Sequence, residues 1–218
     1  FHHITHLAEN KAEGNLHSGK LCQALLREVQ AQGVTVLSSI EISHFEKTGE
    51  QVTCYTNQHI SLKAAKVIVC TNAFAKQLLP QLDILPARGQ VLVTAPINNL
   101  AFKGTFHYQE GFYYFRNLGN RILLGGARNT AFEEEATTEM MTTEKIQSQL
   151  EHFLSHYIIP GIPYQITDRW SGIMGMGSEK LPIVKEISPQ IFCAVRMSGM
   201  GVALTPVIGE TMASMILQ

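Results

Sequence analysis

Residues 13–29 read EGNLHSGKLCQALLREV, and Gly14, Gly19 and Lys20 within them have the spacing of a phosphate-binding loop that lacks only its last residue. Such a loop wraps phosphates with glycine N–H groups, adds a lysine for charge, and then needs a Ser or Thr hydroxyl to hold magnesium. Leu21 stands at the hydroxyl position. The loop should also leave a buried strand, whereas the lead-in HLAENKAE (6–13) is polar. The stretch therefore reads as a turn into an amphipathic helix over about 19–32, with Leu21, Ala24, Leu25 and Val29 on one face and Gly33 as the stop.

Outward from that helix the pattern alternates. GVTVLSS (33–39), IEISHFEKTG (40–49), QVTCYTN (51–57) and ISLKAAKVIVC (60–70) read as strands. Val67–Cys70 is a continuous apolar run, as expected of a strand covered on both faces. Thr71-Asn72 ends it, and a short helical stretch leads to Pro80. From Pro86 the segments RGQVLVTAPI, GTFHYQ, GFYYFRN and NRILLGGAR alternate between Gly or Asn turns, the pattern of an antiparallel sheet. A helix follows over roughly Thr142–Ile158, with Ile146, Leu150, Phe153 and Leu154 inward. YQITDRWSGIMGMG, KLPIVKEI and QIFCAV return to strands, with Gly172, Gly175 and Gly177 expected between strands. A last helix starts near Val202, or at Pro206 with Thr205 as its cap. The fold class expected is α/β plus α+β: a partial doubly wound layer and an antiparallel sheet domain.

Composition narrows the function. Apolar residues make up 45% of the 218, enough to bury a sizeable core. The net charge of −1 gives no electrostatic footing for nucleic acid, and no apolar run reaches the length of a membrane span. Cys22, Cys54, Cys70 and Cys193 lie far apart with no C-x-x-C, and read as reduced core thiols of a cytoplasmic protein. The chain begins at Phe1 with sequence of mid-protein character, as a fragment or processed chain would. His2, His3 and His6 have no carboxylate or cysteine grouped with them, and His152 is followed by Phe153 where a metalloprotease helix needs Glu, so no metal site is expected. The acidic run FEEEATTEMMTTEK reads as a solvated approach to the helix that follows.

In order, GNLHSGKLCQALL, VIVCTNAFA, PARGQVLV, GFYYFRNLGNRILLGGAR, RWSGIMGMGSEKLPIV and RMSGMGVALTPVIGE resemble the glycine oxidase, sarcosine oxidase and D-amino-acid oxidase superfamily of FAD-dependent oxidoreductases. Ser18 stands where that family usually has proline, and Thr71-Asn72 where it often has Ala-Gly. The likeness implies that 1–84 and 190–218 form part of a FAD-binding domain and 85–189 a substrate-binding sheet domain. It implies noncovalent FAD, since Cys193, the cysteine nearest the W-x-G segment, sits in a buried strand. No G-x-G-x-x-G, the unit that seats the cofactor's pyrophosphate, occurs in these residues, so the chain alone is expected to hold FAD weakly or not at all.

The resemblance also assigns residues. The backbone at Ile42 would meet the adenine; Thr71, Asn72 and Ala73 the ribityl or pyrophosphate groups; Gly172 and Ile173 the flavin ring. Gly199, Met200, Gly201, Val202 and Ala203 would present N–H groups and a helix's positive end to the ring's pyrimidine edge. Tyr113 matches a tyrosine that often holds a substrate carboxylate, while Met174 stands where amino-acid-oxidising relatives carry an arginine that grips it. Arg88, Arg116 and Arg196 are the cations that could compensate, Arg196 first among them. No catalytic residue is assigned. The implied reaction is oxidation of the C–N bond of a small amine or amino acid; the alternatives are oxidation of a hydroxy acid, or a noncatalytic domain that no longer holds FAD.

Overall fold

The computed structural model describes residues 1–217; Gln218, the end of the expected closing helix, lies outside the described residues. In chain order come helix α1 (Ser18–Ala31), strands β1 (Ile42–Thr48), β2 (Gln51–Thr56), β3 (Ser61–Ala64) and β4 (Val67–Val69), and short helix α2 (Ala75–Leu78). Strands β5 (Leu85–Thr94), β6 (Thr105–Tyr108), β7 (Tyr113–Leu118) and β8 (Arg121–Gly126) follow, then α3 (Glu144–Phe153). β9 (Ile166–Met176), β10 (Ile183–Ser188), β11 (Ile191–Val195) and α4 (Gly201–Ile216) complete the chain.

Two compact units divide it. The first holds Phe1–Leu16 and Ala87–Ile173; the second holds His17–Pro86 and everything from Met174 onward. This differs from the division expected at 84/85 and 189/190. The first sixteen residues go with the large sheet, because Phe1 inserts among Phe102, Phe106 and Phe115 at centroid distances of 5.3–5.6 Å. Residues 174–189 go with the other unit, because β10 pairs with β11.

The first unit is a five-stranded sheet in the order β6-β7-β8-β5-β9. Its strands follow period-two alternation, so Tyr113, Phe115, Ile122, Leu124 and Leu92 point to one face and pack beneath α3. The expected inward set of α3, Ile146, Leu150, Phe153 and Leu154, is fully buried there.

Beside this apolar layer lies a buried ion pair. Arg88 Nε and Nη2 donate to the two carboxylate oxygens of Glu135 at 2.8 and 2.9 Å, with side chains 4% and 1% exposed. Gln90 Nε2 donates to Glu135 Oε2 at 3.0 Å and to Thr143 Oγ1 at 2.8 Å. The expectation of a solvated acidic run therefore fails at Glu135: Glu134 stays outside and pairs with Lys145, while its neighbour is drawn in by the arginine. Arg88 is correspondingly unavailable to a substrate.

The second unit has two three-stranded sheets, β1-β2-β3 and β10-β11-β4, the latter joining an antiparallel pair to a parallel one. β11 is the strand covered on both faces. Phe192 and Ala194 meet Ile208 and Met212 of α4, and Cys193 and Val195 meet Val69, Leu79 and Ile84. That role was expected of Val67–Cys70, but Ile68 and Cys70 are exposed and only Val69 is fully buried. Cys22 is exposed as well, so Cys54 and Cys193 alone are core thiols.

Gly33 does stop α1, at φ +84°. Residues 33–39 form no strand, since no strand among the described residues pairs with them, and Val34, Val36 and Leu37 stand exposed. The apolar face of α1 is uncovered too, with Leu25, Leu26 and Val29 exposed. Gly172 and Gly175 lie inside β9 rather than between strands. α4 begins at the glycines, and Thr205 is no cap: its hydroxyl donates back to the Gly201 carbonyl at 2.5 Å.

Breaking the buried pair leaves a charge without a partner, so Arg88→Met should destabilise the first unit by about 3–5 kcal/mol. Burial raises the Glu135 carboxyl, but hydrogen bonds from Arg88 and Gln90 outweigh it and hold the group below its ordinary 4.5. The ionised carboxylate's contribution is complete above that ordinary value and is lost as pH falls through the depressed one. Denaturant midpoints measured from pH 6 down to about 3 should fall, with a shallower slope in Glu135→Gln.

Candidate functional site

The residues that the sequence groups around a flavin fall in both units. In the second unit they centre on the turn from β11 into α4. Its backbone is left-handed at Arg196 (φ +62°), Ser198 (+49°) and Gly199 (+81°). Two of these three are not glycine, a conformation that persists only where the surroundings impose it. The impositions are visible. Met197 N–H donates to Asn72 Oδ1 at 3.1 Å, Ser198 N–H to the Gly175 carbonyl at 3.0 Å, and Met200 N–H closes on Met197 O at 2.8 Å.

Asn72 is itself left-handed, at φ +46°, and its amide oxygen lies where a Cβ on Gly175 would stand 2.7 Å away. Glycine at 175 is thus what lets the 71–73 turn reach the 197–198 turn. Met174 lies alongside, its Sδ 3.8 Å from the position a Cβ on Gly199 would take. Asn72, Ala73, Met174, Gly199 and the residues after it are therefore brought together, with Thr71 one residue before them on the exposed side. Ala73 is buried at 1% exposure, and the Asn72 side-chain oxygen Oδ1 is committed to the turn. Ile42 sits elsewhere: it pairs with Thr56 and packs by Val52, Cys54 and Ile191 as a plain core aliphatic.

The turn delivers the chain into α4, a helix of sixteen residues. Met200 at its start offers no capping side chain, and its first turn holds no acidic residue. The first N–H groups of a helix have no intrahelical acceptor, and the aligned peptide dipoles leave positive charge there. Met200 and Val202 are more than half exposed, and Gly199 and Gly201 carry no Cβ, so an anion or an electron-rich ring edge could approach the backbone closely.

Arg196 is not free to bind a substrate. It is 6% exposed; Nε donates to Leu181 O at 2.9 Å, Nη1 to Asp83 Oδ2 at 2.8 Å and Asp83 O at 3.2 Å, and Nη2 to Glu179 Oε2 at 3.4 Å. Asp83 also accepts from the Ser178 hydroxyl at 2.6 Å and its N–H at 2.9 Å. Those two bonds, with the Arg196 charge behind them, hold its carboxyl below the ordinary range. Arg196 passes from carboxylate clamp to scaffold, and Asp83 and Ser178 are members of the cluster that sequence reading missed.

In the first unit, Gly172 and Ile173 lie on β9, and a Cβ at Gly172 would meet nothing within 4 Å. Tyr113 belongs to the core rather than to a binding face. Its ring stacks on Phe153 at 4.5 Å, it is 7% exposed, and burial pushes its phenol up. The other tyrosine of the pair, Tyr114, lies on the opposite sheet face, its ring where a Cβ on Gly125 would be 2.5 Å from Cε2. Strand parity was the signal: Phe115 packs with Tyr113, so the residue between them must face away. Arg116 donates to the Leu16 carbonyl at 2.6 Å. Among the described residues no group of three His, Cys, Asp or Glu is placed to hold a metal ion.

The family described as FAD dependent oxidoreductase (DAO) matches residues 6–215. The chain therefore belongs to that family, whose cofactor is FAD. It is 26% identical over 219 residues to monomeric sarcosine oxidase of Bacillus sp. (strain NS-129), a match covering 93% of this chain and 56% of that protein. In fold it is similar to L-proline dehydrogenase of P. horikoshii, with a TM-score of 0.76 at 19% identity over 91% of this chain and 55% of that one. It is likewise similar to glycine oxidase of Geobacillus kaustophilus, with a TM-score of 0.75 at 20% identity over 88% of this chain and 52% of that one. The chain spans about half the length of these relatives.

The tight approach at Gly175 is directly testable. In Gly175→Ala the added methyl meets Asn72 Oδ1 at 2.7 Å and the Ala73 nitrogen at 3.1 Å. The variant should lose about 1–3 kcal/mol of stability, read as a lower denaturant midpoint.

Proposed function

We propose that this chain supplies the flavin-ring contact and the substrate-facing sheet of an enzyme that oxidises the C–N bond of a small amine or amino acid. FAD, held noncovalently, would be the hydride acceptor. The observation that carries this reading is the uncapped start of α4, entered through the left-handed Ser198-Gly199 turn and free of acidic residues. Reduced flavin gathers negative charge at its pyrimidine edge, which matches exposed N–H groups and a positive helix end. Gly201 and Val202 would hold that edge, with Gly199 leaving room for it, and Met174 would lie beside it as an apolar wall. The fit is chemical: donors where charge collects, and no side chain competing for them.

C–N oxidation is favoured over C–O oxidation by the printed names of the relatives, a sarcosine oxidase, a proline dehydrogenase and a glycine oxidase. The substrate end departs from an amino-acid clamp. Met174 cannot grip an anion, Arg196 is committed to Asp83, and Arg88 to Glu135. A charged hydrogen bond is worth about 1.5–3 kcal/mol and an arginine fork makes two, so a substrate depending on a fork at these positions would bind poorly here. The reading is therefore an amine, or an amino acid whose carboxylate is held by none of these three positions. Tyr114 replaces Tyr113 as the aromatic proposed to face the substrate.

Two measurements test this. The protein expressed from its full reading frame should carry stoichiometric flavin by absorbance and release ammonia or a smaller amine from its substrate. Keto acid formed without amine would move the assignment to hydroxy-acid oxidation, and a colourless protein would remove it. The 218 residues alone lack a G-x-G-x-x-G and should purify without stoichiometric flavin.

A further inference from the structure

Arg196 invites a question that its exclusion from substrate binding does not answer. A non-glycine residue in the left-handed region, nearly buried, spends all three guanidinium nitrogens on neighbours of its own unit. Asp83 receives it at the end of the segment leading into β5, and Glu179 and the Leu181 carbonyl receive it from the loop between β9 and β10. Ser178 fixes the receiving carboxylate with two further bonds. The fit is close on the far side as well: a Cβ on Gly177 would stand 2.6 Å from Arg196 Cδ and 2.8 Å from the Asp83 carbonyl. These contacts fix the side chain from several directions and therefore constrain the backbone that carries it.

That backbone opens the turn. With Arg196 held at φ +62°, the next two N–H groups meet Asn72 Oδ1 and the Gly175 carbonyl, Ser198 turns left-handed in its turn, and α4 begins at Gly201. The geometry points to Arg196, clamped by Asp83, as a positioning residue that sets where the amides of residues 199–203 stand. Their role toward a flavin rests on the function proposed above; their placement by the clamp does not. All of Arg196's side-chain hydrogen bonds go to Asp83, Glu179 and Leu181, so the clamp acts through the turn it opens. Removing it leaves the strained residue without the bonds that hold it, so the turn relaxes toward ordinary φ and the first amides of α4 become mobile.

The test uses the protein from its full reading frame. Arg196→Met keeps most of the side chain's volume and removes its bonds. Hydrogen exchange of the amides of residues 197–203 should accelerate on the order of tenfold, while β7, β8 and α3 exchange as before. The Kd for FAD should rise on the order of tenfold, with a more negative flavin potential, because the amides facing the reduced ring are no longer fixed. Arg196→Lys should recover part of both effects through a single bond to Asp83. Asp83→Asn, which keeps Arg196 in place but removes its counter-charge, should move exchange and potential the same way by less, and decides the matter if Arg196→Met does not fold. Exchange at 197–203 unchanged in folded Arg196→Met, or in Asp83→Asn where Arg196→Met is lost, overturns the clamp. Faster exchange with unaltered flavin affinity and potential overturns its role toward the cofactor. A protein from the full reading frame that holds no flavin sinks the proposed function, and the exchange measurement still decides the positioning.

Discussion

A chain leaving β11 at Val195 must enter α4 at Gly201, and it manages this with left-handed backbone at three of the residues between. Everything distinctive about the second unit follows from meeting that constraint. Asn72 gives up its amide oxygen to the turn, Gly175 gives up a side chain so that Asn72 can reach it, and Gly177 does the same for Arg196. The result is a helix start free of capping side chains and of acidic residues. Helix starts are normally capped by Ser, Thr, Asp or Asn; here the nearby Asn72 spends its amide oxygen on shaping the approach instead.

Regular periodicity made much of this legible from sequence. The face of α3 and the four strands of the hairpin region stand where their patterns put them, because α3 and the strands share one apolar layer. Misreadings arose where a pattern has two solutions. Val67–Cys70 and QIFCAV are both short apolar runs, and only packing reveals that α4 covers the second face of the latter. GVTVLSS has the alternation of a strand but finds no pairing partner among the described residues, and alternation alone makes no ladder. In Tyr113-Tyr114 the family likeness chose the ring that the pleat of the sheet turns into the core. Parity, counted from Phe115, would have separated them without coordinates.

The arginines show a different limit. Sequence marks a cation and says nothing of its counter-ion. Arg88 lies 47 positions from Glu135, and Arg196 lies 113 from Asp83, separations no local pattern can bridge. Three candidates for one carboxylate thus turn out to hold Glu135, the Leu16 carbonyl and Asp83. What survives from the sequence is the negative observation at Met174, and it gains weight, since the obvious substitutes for the missing arginine are committed elsewhere.

The two clamped arginines use the same chemistry to different ends, and solvent separates them. Arg88–Glu135 is sealed, with both partners at 4% exposure or less, so its desolvation is already met and loss of either partner strands a charge in the core. In Arg196–Asp83 the arginine is buried but the carboxylate is 45% exposed, and water screens part of the attraction. Such a pair contributes little as an ion pair and more as geometry: the guanidinium fixes direction, and the open carboxylate accepts Ser178 as well as the arginine. The sealed pair is one the fold cannot break by half without stranding a charge. The half-open one is where it can hold a strained turn without burying a second charge, which suits a backbone that must stay both rigid and exposed.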